Sequence, residues 1–291
     1  MDLHALTLPQ DPDTLRGEII RMSATLMGCG IDFTKCLLFQ QSRVPQHTEL
    51  AWILSCRTTV PKLSGLPSFK EKTENMKEVP LGLLAYPVLQ AADILIHRAN
   101  EVPVGEDNLQ QLHYAQHMQQ KFNNKHKTDL FPFPKALLAS NFSASRIKSL
   151  RQPDKKMSKS EPDVKGRIMI LDSPDDIRLK MRKAITDCTS QITYDPEGRP
   201  GVSNLILMDS LMTGASVDDI CQQNKDIQSA AYKNQLAERL IEFLKPMREK
   251  ADDLMKSEEE IRRRLRIGNE RAVERAEETM CQVRKLIGID V

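Results

Sequence analysis

Lys155-Lys156-Met157-Ser158-Lys159-Ser160, followed by Glu161-Pro162-Asp163 and Gly166, is the stretch from which the rest of this chain can be read. The prolines and glycine around it predict a surface loop between regular elements. Two ammonium groups, two hydroxyls and exposed backbone N–H groups on such a loop suit a polyphosphate whose negative charge grows during reaction. A solvated basic loop is the plain alternative, but a five-residue string as specific as Lys156–Ser160 seldom arises by chance. The formal charge of the chain is only +2, yet it is unevenly spread. Residues 121–167 carry 12 Lys+Arg against 4 Asp+Glu, a local +8, whereas residues 1–120 (10 against 13) and 168–291 (20 against 23) are each −3. The positive surplus therefore surrounds the loop, as phosphate binding requires.

The 291 residues are enough for one large domain or two ordinary ones, and 40% hydrophobic with 28% charged content is that of a globular protein. No apolar run reaches the roughly 18 to 20 residues that would span a bilayer, so no membrane role is expected. Six scattered cysteines form no Cys-x-x-Cys or Cys/His spacing; neither a disulfide framework nor a metal site is expected.

Alternating elements organise the first part of the chain. Residues 1–8 read as a strand, and Asp11-Pro12-Asp13 starts an amphipathic helix carrying Leu15, Ile19, Met22 and Leu26 up to a Gly28/Gly30 stop. Cys36–Phe39 reads as a buried strand, and a helix with Leu50, Trp52, Ile53 and Leu54 follows. From Leu81 comes a long apolar helix that Pro87 is expected to bend, then a strand over 101–104. Gly105-Glu106-Asp107 turns into another helix running through Gln116 and Phe122. Short strands are also expected over 146–150 and 167–171. This order predicts an α/β fold with a Rossmann-type parallel sheet. Beyond the turn-rich Tyr194–Gly201 connector nearly everything reads as helix, so the expected division is an α/β catalytic domain over 1–174 and an all-helical domain over 175–291.

The loop resembles the signature loop of class I aminoacyl-tRNA synthetases. Three further stretches, Gly82-Leu83-Leu84-Ala85-Tyr86-Pro87 through Gln90-Ala91-Ala92-Asp93-Ile94-Leu95, Val102-Pro103-Val104-Gly105-Glu106-Asp107, and Ile192–Leu205 of the connector, resemble the tryptophanyl branch, bacterial or mitochondrial type. The likeness runs over essentially the whole chain in family order. It implies a tryptophan–tRNA ligase that forms tryptophanyl-adenylate from tryptophan and ATP, with Mg2+ accompanying the ATP and no tightly bound cofactor, and then charges tRNA(Trp). It implies Lys156 and Lys159, with Lys72, as the catalytic cations around the triphosphate. ATP would also meet Gly105, Glu106 and Asp107 at the ribose, Ile147 at the adenine, and Met157, Ser158 and Ser160 in the loop. Asp93, a carboxylate on an otherwise apolar helix, would accept the indole N–H, which is the only donor of that ring. Tyr86, Leu89, Val104 and His4 would complete the tryptophan pocket, although Tyr86, Leu89 and Val104 suit plain core packing as well. Lys72 also fits a solvated charge run. The helical domain would hold the tRNA anticodon. Arg262, Arg263, Arg264 and Arg266 are candidate phosphate contacts there, but a solvated helix face balanced by Glu258–Glu260 is the stronger expectation.

Departures from the family pattern qualify this. A Gly/His- or Gly/Asn-containing turn that follows the first strand and grips ATP in the family has no counterpart here, and Asn108 stands where glutamine is usual. A chain that starts inside its domain, with impaired activity, is the resulting expectation. Tyrosyl-tRNA synthetase is the enzymatic alternative, and a product that only binds tRNA or dimerises is the non-catalytic one. The resemblance also implies a homodimer and a mitochondrial matrix location, or otherwise a cytoplasmic one.

Overall fold

A computed structural model of the chain describes residues 2–105, 108–138, 147–158 and 161–291. They fall into two compact units. The first comprises Met1–Ser23, Asp32–Leu138 and Ser257–Val291, and the second Ala24–Ile31 and Ala139–Lys256.

The first unit is an α/β arrangement around one parallel strand pair. Strand β1 (Glu101–Pro103) runs beside β2 (Lys135–Leu137) in the register Glu101↔Lys135, Val102↔Ala136 and Pro103↔Leu137. Between the two strands comes a helix of Leu109–His126, so β1, that helix and β2 form one β-α-β unit, the connection a parallel pair needs. The helices in chain order are α1 (Asp2–Ala5), α2 (Pro12–Gly28), α3 (Gln46–Ser55), α4 (Val60–Ser64), α5 (Pro67–Thr73), α6 (Leu81–Ile96), α7 (Leu109–His126), α8 (Pro174–Lys183), α9 (Pro200–Thr213), α10 (Val217–Gln223), α11 (Ser229–Lys256) and α12 (Glu258–Ile287). Helix α6 is apolar enough to be enclosed, and its Val88, Ala91, Ala92, Leu95 and Ile96 sit at the centre of the core. Leu50 and Leu54 of α3, Met118 and Phe122 of α7, and Ala272, Ala276, Met280 and Val283 of α12 close around it.

Fold class follows the sequence expectation, while several local elements do not. Residues 2–5 are a helical turn, closed by Leu6 N–H on Leu3 C=O, in place of a strand. Asp11 does cap α2, accepting from Thr14 N–H at 2.8 Å, and Gly30 ends the segment at φ +91°. The buried stripe of α2 is Ile20, Ser23, Ala24, Met27 and Gly28, and Met22 and Leu26 lie outside it. Residues 36–39 form no strand; just after them Gln40 N–H donates to Asn269 Oδ1 of α12 at 2.8 Å, so a side chain satisfies that backbone group. Helix α12 comes so near that a Cβ on Gly268 would lie 1.9 Å from Leu38 O.

The second unit packs α8, α9, α10 and α11 around Ile177, Met181, Val202, Ile206, Tyr232, Leu236 and Leu240. Ser173 and Ser216 cap α8 and α10 by accepting from Asp176 and Asp219 N–H at 3.1 Å each. Strand expectations fail here as well: 147–149 meets 155–157 through one antiparallel bridge, Lys148 with Lys156, and 167–171 is irregular. The two units also cut the chain elsewhere than at residue 174. Helix α12 buries its small-residue face on α3 and α6, far back in the sequence, and the 147–173 segment packs with α8 and α9.

Candidate active site

Asp93 lies on α6 with 17% of its side chain exposed. Its carboxylate is enclosed by donors from three separate stretches. His47 Nδ1 of α3 is 2.6 Å from Oδ1, and His4 Nε2 of α1 is 2.7 Å from Oδ2. Gln41 Nε2, in the 3-10 turn Gln41–Arg43, reaches Oδ1 at 2.7 Å and Oδ2 at 2.9 Å. Burial pushes the Asp93 carboxyl upward, but the hydrogen bonds of His4 and His47, with their charge, outweigh it and hold the group at about 2. Behind His47, its Nε2 shares a hydrogen with His97 Nε2 at 3.1 Å. Burial, His47 and Arg275 lower His97 to about 4 against the opposing pull of Asp93, so its ring is neutral at pH 7.

Beside this carboxylate opens a cavity of about 240 Å3, lined by Leu37, Leu38, Phe39, Gln41, His47 and Asp93. Its walls are apolar and its floor is polar, the usual division in a small-molecule site. Of the expected pocket residues, His4 touches Asp93 directly, and the Tyr86 ring stands edge-on to His4 at 6.4 Å. Tyr86 Oη donates to Ser68 Oγ at 3.3 Å, and Lys72 Nζ lies 4.3 Å from the centre of the Tyr86 ring. Leu89 is half-buried one turn before Asp93, hence on the same face of α6. Val104 leaves β1 with its N–H on Leu137 C=O at 3.3 Å. Neither Leu89 nor Val104 lines the cavity. Gln41 and His47 were not expected from the sequence, where a lone glutamine and a histidine before an apolar helix carry no visible chemistry.

The loop that opened the sequence reading is anchored in the second unit. Met157 N–H donates to Ile147 C=O at 3.0 Å and Ser149 N–H to Lys155 C=O at 2.9 Å, so Lys156 sits on a short antiparallel pairing and is exposed. Met157 and Ile147 both pack on the hydrophobic core below it. Asn204 of α9 fixes Lys148 from both sides, accepting from its N–H at 2.8 Å and donating to its C=O at 2.9 Å. Ser149 Oγ donates to Glu161 Oε1 at 2.6 Å, and Glu161 presses on Gly166, where a Cβ would come within 2.0 Å of the same oxygen. Ser158 is exposed at the end of this anchored stretch. Lys159, Ser160, Glu106 and Asp107 lie outside the described residues. Gly105 is half-buried and its C=O accepts from Asn108 N–H at 2.9 Å.

A family model described as tRNA synthetases class I (W and Y) matches residues 1–245. The chain belongs to this class I synthetase family. A tryptophan–tRNA ligase of Caldanaerobacter subterraneus subsp. tengcongensis is 43% identical over 99% of the chain and 87% of that relative. A mitochondrial tryptophan–tRNA ligase of Dictyostelium discoideum is 39% identical over 99% and 77%. The crystal structure of Campylobacter jejuni tryptophanyl-tRNA synthetase complexed with ADP and tryptophan superposes with a TM-score of 0.83 at 27% identity, covering 99% of the chain and 88% of the other.

The arginines of α12 are paired: Arg262 with Glu258 at 3.0 Å, Arg263 and Arg264 with Glu260 at 2.7 Å, and Arg266 with Glu259 at 2.7 Å. They form a balanced helix face, and each such exposed pair contributes little to stability. All six cysteines are unpaired. Among the described residues no helix is long and apolar enough to cross a membrane.

Proposed function

We infer that this synthetase is a tryptophan–tRNA ligase, which activates tryptophan with ATP and transfers it to tRNA(Trp). The observation that carries the amino-acid choice is Asp93: an ionised acceptor on an apolar helix beside a cavity with apolar walls suits a ring with one N–H. In this reading Asp93 accepts the indole N–H beside His4 and Tyr86, while the other two residues that the resemblance implies, Leu89 and Val104, lie off the cavity wall. The tryptophan carboxylate, already ionised at neutral pH, attacks the α-phosphate in line, so no general base is required. Pyrophosphate leaves as the α-phosphorus to bridging-oxygen bond breaks, and Lys156, Lys159 and Lys72 offset its charge, together with the Mg2+ that enters on ATP. Gly105, Glu106 and Asp107 take the ribose, Ile147 the adenine, and Met157, Ser158 and Ser160 shape the loop over the phosphates. The anchoring of Lys156 by the Ser149–Lys155 and Ile147–Met157 hydrogen bonds supports this, because a cation on a fixed base need not be ordered during reaction.

The helical part beyond residue 175 is assigned to the tRNA anticodon. A homodimer is proposed as well, supported by large apolar side chains left in solvent, Trp52 at 71% and Leu81 at 77% exposure. A mitochondrial location is supported by the mitochondrial relative. Amino-acid-dependent pyrophosphate exchange tests the central assignment: tryptophan supports exchange and tyrosine does not. Exchange with tyrosine alone would overturn it.

A further inference from the structure

An ionised carboxylate offers about four acceptor positions. On Asp93 three donors of this chain use part of that capacity, His47 Nδ1 at Oδ1, His4 Nε2 at Oδ2 and the single Gln41 Nε2 shared between the two oxygens, and one further N–H can be accepted. Because these donors come from α1, the 41–43 turn and α3, the plane of the carboxylate is set by three independent segments. We propose that Gln41 and His47 are positioning residues for tryptophan selection, fixing the direction of the carboxylate that receives the indole N–H. This rests on the reading of Asp93 as that acceptor.

Two details separate such a role from ordinary packing. Gln41 is 3% exposed, and its Oε1 is buried with no hydrogen-bond partner. Leaving half of a buried amide unused is unfavourable, and the site tolerates it while the other half is committed to Asp93 on both oxygens. His47, 2% exposed, is in turn braced by His97 at 3.1 Å, as second partners orient metal-ligating and catalytic histidines. The charged and titratable groups around the carboxylate are His4 from α1, His47 from α3, His97 just after α6, and Arg275 of α12, which acts on His97. Of the influences on Asp93, burial is the largest and acts to protonate it. Without its donors the carboxyl would therefore titrate nearer neutrality, and a protonated acid is a poorer acceptor for an indole N–H.

Tryptophan-dependent pyrophosphate exchange between pH 5.5 and 8.5 tests this. In Gln41→Met and in His47→Phe, the KM for tryptophan is expected to rise about tenfold at pH 7.5, with kcat and the KM for ATP changed less than about threefold. In His47→Phe the tryptophan KM should rise further as pH falls to 5.5, along a limb that the parent and Gln41→Met lack. His47→Asn, which keeps a donor near Oδ1, should recover most of the loss. Should His47→Phe fail to fold, Gln41→Met and His47→Asn carry the test. Folded variants with a tryptophan KM within about twofold of the parent and an unchanged pH profile would overturn the proposal. Asp93→Asn serves as the control: a raised tryptophan KM there, alongside unaffected Gln41 and His47 variants, refutes the positioning role alone. An unaffected Asp93→Asn refutes both readings.

Discussion

Replacing Asp93 with alanine removes the acceptor on which three side chains converge. Gln41 and His47 are 3% and 2% exposed, so their N–H groups would face the apolar interior unpaired, while His4 can turn toward water more readily. Orphaning a buried donor costs roughly 1–3 kcal/mol, and water admitted beside the smaller side chain recovers part of that, which sets the expected loss at about 2–4 kcal/mol. An independent route agrees. The Asp93 carboxyl is held at about 2 against an ordinary 3.8, a difference worth roughly 2 kcal/mol at neutral pH. Because the folded value is depressed, that stabilisation is complete above pH 3.8 and disappears as pH falls toward about 2. Parent and variant should therefore differ in urea unfolding at pH 7, followed on the first unit, and converge in acid. The tryptophan KM should rise about 30- to 150-fold, the equivalent of losing a charge-assisted hydrogen bond of about 2–3 kcal/mol. A variant less than about 1 kcal/mol weaker than the parent, with an unaltered tryptophan KM, would show that Asp93 is neither a structural hub nor the indole acceptor.

Other expectations probe different links. Lys156→Ala should slow pyrophosphate exchange by about 10²-fold or more with tryptophan affinity preserved, and an unchanged exchange rate would count against its role at the phosphates. Gly268→Ala and Gly17→Ala should act in opposite directions. At Gly268 the new methyl would meet Leu38 O at 1.9 Å and cost about 1–3 kcal/mol, while Gly17 has nothing within 4 Å and should gain about 0.5–1 kcal/mol in denaturant titration. Arg199→Lys should loosen the 187–193 loop, because Arg199 pairs with both oxygens of Asp187 at 2.9 Å and donates to the carbonyls of Gln191 and Thr189 at 2.8 and 3.1 Å. Faster cleavage in that loop by limited proteolysis would report it, and an unchanged rate would argue against the clamp.

How much of this was legible before any coordinates depended on how local the cause was. The Asp11 cap and Gly30 stop of α2 and the apolar α6 were readable because each rests on residues within a turn or two of one another. Lys156–Ser160 and Asp93 stood out as candidates because a basic loop string and a lone carboxylate on an apolar helix are both visible in residue type and spacing. The strand at 36–39 was misread for the opposite reason: the next residue, Gln40, donates its N–H to the side chain of Asn269, 229 positions away, and no periodicity carries that. The missed β2 is three residues long, too short to leave an alternation. The placement of α12 was equally opaque, since it looks like any late amphipathic helix until Ala272, Ala276 and Gly268 show how closely it approaches α6 and the 38–39 segment.

By itself, then, the sequence determined the candidates for the chemistry: the lysines of the loop, the carboxylate of Asp93 and the apolar helix that carries it. Tertiary structure alone decided that Asp93 is ringed by His4, Gln41 and His47, with His97 behind them. Hydrogen bonds between stretches dozens of residues apart depend on where chain folding brings them, and single His and Gln residues give no sign of their partners until the backbone has closed.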